Sequence, residues 1–157
     1  MDPRHAYRLT LGLAAVWLAA AAVADDQAVK DELKRHQGTW SVTSSLYDGQ
    51  PAPEEIVRSI KRIVTGDHVA WERDGKRFAG TRIELDPTHE PKTIDVIPDG
   101  GRNRGERVLG IYKLEGDRLT IVMAAPGQPR PKEFQAAKGS GWTLRIFQRE
   151  RSSAKRP

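Results

Sequence analysis

From Gly38 onward, hydrophobic and polar residues alternate with a period of two. Trp40, Val42 and Leu46 are interleaved with Thr39, Ser41, Thr43 and Ser45, the pattern of a strand with one face buried and the other wet. The stretch before it follows a different period. Ala28–His36 is built from good helix formers, Val29, Leu33 and His36 share one face, and Gly38 stops the helix. Asp48-Gly49 and the prolines Pro51 and Pro53 end the first strand in a loop.

Tight turns then punctuate the chain. Gly66-Asp67, Asp74-Gly75 and Gly116-Asp117 each separate two strand-like runs, and glycine in such pairs supplies the positive φ of two-residue hairpins. Asp86-Pro87 and Asp99-Gly100-Gly101 bracket one more short run. The expected strands are 39–47, 59–65, 68–73, 76–85, 92–97, 106–115, 118–124 and 142–150. Eight short antiparallel strands joined mainly by hairpins predict an all-β fold, an up-and-down barrel behind a short N-terminal helix, because closure removes exposed sheet edges. A barrel of this size is filled by side chains or holds one small ligand. An open sandwich is the alternative, but it needs strands that cross between sheets.

The length of 157 residues allows one domain. The first 24 residues stand apart from it. Leu9–Ala22 carries no charge, follows Arg4 and Arg8, and leads into Ala22-Val23-Ala24, the layout of a cleaved secretory signal. A membrane anchor is the competing reading, and the run falls short of the ~20 residues that span a bilayer. The expected organisation is therefore a signal peptide over 1–24, a barrel domain over 25–150 and a basic tail over 151–157, with the mature protein secreted or periplasmic. The net charge of +5 is dispersed outside that tail, which argues against nucleic acid as a partner. No cysteine is present, which excludes disulfides, thiolate metal sites and thiol nucleophiles.

Several motifs occur in order along the chain: Gln37-Gly38-Thr39-Trp40, Leu85-Asp86-Pro87, Pro91-Lys92-Thr93-Ile94-Asp95, Gly110-Ile111-Tyr112-Lys113-Leu114, Gly116-Asp117-Arg118-Leu119, Arg130-Pro131-Lys132-Glu133-Phe134 and Arg149-Glu150. Together they resemble the uncharacterised lipocalin-like domain abundant in planctomycete bacteria, over Leu33 to Glu150. The resemblance implies a lipocalin-like barrel and an exported location. It implies no reaction. It also implies that Gly38 and Trp40 plug the closed end, with the tryptophan under an arginine of the last strand, either Arg145 or Arg149.

The residues carry little sign of catalysis. His36, His68 and His89 are not paired at metal-binding spacings, and no nucleophile elbow or phosphate-binding glycine loop is present. Gly100–Gly105 has the composition of an anion nest and reads more simply as a flexible basic connection. Asp95, between Ile94 and Val96, either faces solvent or points inward against an arginine. No enzyme activity, cofactor or metal is expected. The expected function is non-covalent binding of a small apolar or amphipathic ligand by a monomer, the alternative being an interaction or inhibitor module with a filled barrel and an unknown protein partner. Trp71, Tyr112, Met123 and Trp142 are the candidate cavity residues. The long connection Ala125–Gly141 is expected to fold back over one barrel end. Phe134 would be its anchor and Arg130 would bond carbonyls or a carboxylate, the segment acting as a lid or as a permanent plug.

Overall fold

Helix α1 comprises residues 25–36, and the chain then enters β1, Gly38–Tyr47. A two-residue strand β2, Gln50–Pro51, and a six-residue helix α2, Glu54–Ser59, precede the rest of the sheet. The strands that follow are β3 (Ile60–Thr65), β4 (His68–Arg73), β5 (Lys76–Asp86), β6 (Thr93–Pro98), β7 (Val108–Glu115), β8 (Arg118–Met123) and β9 (Thr143–Arg149). These come from a computed structural model that describes residues 25–151. Residues 1–24, read above as a signal peptide, and residues 152–157 of the expected tail lie outside the described residues.

Each long strand pairs antiparallel with its successor, and β9 returns to β1. The result is a closed eight-stranded barrel of β1 and β3–β9 in sequential order, with β2 extending β1. Closure runs from Trp40 opposite Arg149 to Tyr47 opposite Thr143, with a bulge between Val42 and Ser44. The Asp74-Gly75 turn has positive φ at both residues, 50° and 74°, the geometry whose twist matches a two-residue hairpin. The same signal at Asp48-Gly49, with φ of 50° and 80°, turns β1 back into β2 instead of into an open loop. Pro51 and Pro53, which lack a donor, let that return strand run no further.

The hairpins alternate between two ends. Helix α1 covers the closed end. Trp40 is fully buried there, its Nε1 donating to the His36 carbonyl at 2.9 Å. The Arg149 guanidinium lies 4.0 Å from the centre of its ring and donates to the Gln37 and Arg35 carbonyls. Its Nε donates to Asp117 at 3.0 Å. Gln37 exchanges two 2.8 Å bonds with the Gly66 backbone. The structure thus places Arg149 over Trp40; Arg145 lies elsewhere.

His36 is also sealed at this end, edge-on to Tyr112 at 4.9 Å, with both ring nitrogens unpartnered. Burial, reinforced by the charges of Arg62, Arg35, Arg149 and Lys92, pushes its pKa down to about 3. The folded protein keeps this imidazole neutral, whereas the unfolded chain takes up a proton near pH 6.5. Its share of stability is complete above about pH 6.5 and falls by about 1.4 kcal/mol per pH unit as the pH drops toward 3. Between pH 7 and pH 5 the protein should lose about 2 kcal/mol more than a His36→Leu variant in urea melts. Equal losses would show that His36 is not held neutral.

No residue of the connection 125–141 lines the chamber or the vestibule at the open end of the barrel. Its middle lies along the outer wall of β6–β8, where Arg130 Nη1 donates to the Gly110 carbonyl at 2.7 Å and lies 2.7 Å from Asp95 Oδ1, and its end meets the Asp48-Gly49 turn, Gly141 N donating to Asp48 Oδ1 at 2.8 Å. Phe134 packs against the Lys113 ammonium, 5.5 Å from its ring centre. Ile111 and Val122, cross-strand neighbours on the outward face, are buried there with Pro131 and Ala136. None of these four residues belongs to the barrel core. The anchoring bonds of Arg130 match expectation, and the location corrects it. Alternation sets the location: Tyr112 and Leu114 fill the inward face of β7, so Ile111 needs cover from outside.

Candidate functional site

Inward positions fill the closed half of the barrel. Trp40, Val42, Val64, Leu85, Tyr112 and Leu119 pack into one core with Phe147. Toward the open end the filling stops. A chamber of about 130 Å³ is bounded by apolar side chains that include Val69, Ile83, Ile121 and Met123, and by Arg62, Arg145 and the hydroxyl-bearing Thr81 and Thr143. It continues into an open vestibule of about 740 Å³ between Ile60, Phe78, Pro98 and the Gly100-Gly101 turn. Trp71, Thr81, Val96 and Arg145 line both spaces, so the lumen is one path from the mouth to the chamber floor.

Two guanidiniums define the chemistry of that path. Arg62 is 1% exposed, and neither of its terminal nitrogens has a hydrogen-bond partner. Period-two alternation puts it there: Ile60, Arg62 and Val64 share the inward face of β3. Its guanidinium lies 5.9 Å from the Phe147 ring centre, and that ring is 6.1 Å from Trp71. Arg145 lies against the second ring of this pair, 5.5 Å from the Trp71 ring centre. Burial pulls the Arg62 pKa down to about 9 and lowers that of Arg145. Arg62 is therefore still charged at neutral pH. A buried cation without a counter-ion costs several kcal/mol, and no carboxylate lines the chamber. Asp99 in the vestibule wall stands beside Arg77 near the rim.

No protein-family model matches the chain, and no curated protein or solved structure matches it. What stands of the resemblance is the fold, an eight-stranded antiparallel barrel.

The candidate residues named from sequence separate into four groups. Trp71 and Met123 line the chamber. Tyr112 is inside the barrel but fully buried at the closed end against His36. Trp142 precedes β9 at the position opposite in phase to the inward Thr143, Arg145 and Phe147, and it lines neither space. Phe134 and Arg130 belong to the outer wall. Asp95 also faces outward from the barrel, yet it is only 15% exposed, because Arg107 and Arg130 close over it. Both expected orientations captured half of that arrangement. His68 and His89 are exposed beside Asp67 and Asp86, and among the described residues no three His, Asp or Glu side chains converge. Gly100–Gly105 forms exposed turns at the mouth, held by Gly105 N donating to the Pro98 carbonyl at 2.9 Å. Sequence reasoning missed Arg62 and Arg145 as lumen residues. The signal was present: each shares a strand face with apolar inward neighbours.

Proposed function

We propose that this protein is a non-enzymatic binding protein that holds one small, largely apolar molecule in the lumen of its barrel. The observation that carries this reading is the unfilled open half, a vestibule of about 740 Å³ leading to a mostly apolar chamber. The vestibule falls within the size range of pockets that enclose small molecules. The chamber wall offers guanidiniums and hydroxyls but no carboxylate or imidazole to serve as a general base. Among the described residues no helix is long and apolar enough to cross a membrane. The reading extends to an extracytoplasmic address after cleavage behind Ala24. N-terminal sequencing of the exported protein should begin at Asp25, and a sequence beginning at Met1 would refute that address.

A neutral apolar dye tests the lumen. N-phenyl-1-naphthylamine should brighten with the wild type, and Val96→Trp, which fills the junction of chamber and vestibule, should weaken binding at least tenfold. Binding of equal strength to both proteins would place the dye on the surface and count against a lumen site. The second reading, an interaction module working through its loops, draws on Tyr47 and Phe78. These large hydrophobic side chains are 63% and 57% exposed at the open end. Failure of any probe to enter the lumen would favour it.

A further inference from the structure

Arg62 has neither a hydrogen-bond partner for its terminal nitrogens nor an acid in the chamber around it. Its two terminal nitrogens are buried, unpartnered and set in the wall of an otherwise apolar chamber. The native arrangement of a buried guanidinium is hydrogen-bonded and charge-compensated, and the chamber wall supplies neither. Arg145 lines the same chamber and faces the same lack of an acid. Each guanidinium rests on one ring of the Trp71–Phe147 pair, which holds it in place without neutralising it. The chamber wall offers no acid to balance the two guanidiniums.

We infer that the ligand is an amphipathic carboxylate whose acid group is bound by Arg62 and Arg145 in the chamber, with its apolar body extending along Trp71 and Val96 toward the mouth. This rests on the reading of the lumen as a ligand site. The planar fork of arginine matches a carboxylate, and Thr81 and Thr143 add hydroxyl donors to the wall. The chamber, at about 130 Å³, suits a compact head group, while the roomier vestibule leaves space for the rest of the molecule. The mouth carries Arg77 as well as Asp99, so an entering anion meets no uncompensated acid.

The test compares decanoate with 1-decanol, which share a chain and differ in the head group, by calorimetric titration of the delipidated full-length mature protein. Decanoate should bind about ten- to a hundredfold more tightly, the usual advantage of a charge-assisted hydrogen bond. Arg62→Met should erase that preference while decanol binding persists, and Arg145→Met should reduce it. Arg82→Met, an exposed outer-wall change, should leave it intact. Equal affinity for acid and alcohol in the wild type would overturn this inference and leave the lumen reading standing. A preference surviving in both Arg62→Met and Arg145→Met would also overturn it, by placing the acid elsewhere. Failure of both ligands to bind would remove the lumen reading and this inference together. Should Arg62→Met fail to fold, the Arg145→Met comparison decides alone: an unchanged preference overturns the inference.

Discussion

Trp40→Ala should destabilise the protein by about 3–5 kcal/mol, the cost of truncating a large aromatic in a packed core. Few substitutions should cost more, since a domain of this size has only about 5–15 kcal/mol of stability in all. The ring is fully buried and joins its strand to two other parts of the chain. Its Nε1 ties β1 to the end of α1 through the His36 carbonyl, and its face carries the Arg149 guanidinium from β9. Truncation leaves that carbonyl without its donor and opens a void beneath the arginine, at the register position where Trp40 and Arg149 close the barrel. Urea melts at pH 7 measure the loss. Tyr47→Ala, on the same strand but 63% exposed, should change stability by no more than about 0.5 kcal/mol. Similar values for the two variants would mean that the first strand is not seated as described.

Arg62→Met should act in the opposite direction, raising the stability of the ligand-free protein by about 1–4 kcal/mol, as replacement of poorly compensated buried charge by apolar side chains does. The substitution removes a guanidinium with two unpartnered nitrogens and places a flexible apolar side chain beside Phe147 and Ile94. The interaction of the cation with the Phe147 ring is lost as well, about 0.5–2 kcal/mol, which is smaller than the desolvation relieved. A stabilised variant that no longer prefers an acid would tie the cost of Arg62 to binding, a common relation between stability and function. Destabilisation by more than about 1 kcal/mol would instead show that Arg62 is compensated within the chain, against the several kcal/mol expected for an unpaired buried charge.

The eight long strands were legible because their signals are local. Observed boundaries fall within two residues of those expected from alternation and turn residues, including β5 over Lys76–Asp86 and β9 over Thr143–Arg149. Helix α2 was missed although its signs were present: Pro53 ahead of it, Glu54 and Glu55 in its first turn and Arg58 in its last. Six residues are too few for a helical period to stand out, and Val57 earns its place only by packing against the barrel core. Trp142 was misjudged because it lies one residue before the strand, where a shift of one reverses the face.

The sequence by itself determined the strands and their order. Turn chemistry and period-two alternation act between residues a few positions apart, and consecutive hairpins leave few ways to arrange eight strands. The tertiary structure alone decided which arginine covers Trp40, since that depends on the register of β1 against β9, more than a hundred residues away. It decided that the middle of the connection 125–141 clads the outer wall, because only the closed barrel shows an apolar strip at Ile111 and Val122 in need of cover. It also decided that Arg62 is unpaired. Alternation can place a guanidinium inside, but whether an acid meets it depends on every other strand of the barrel.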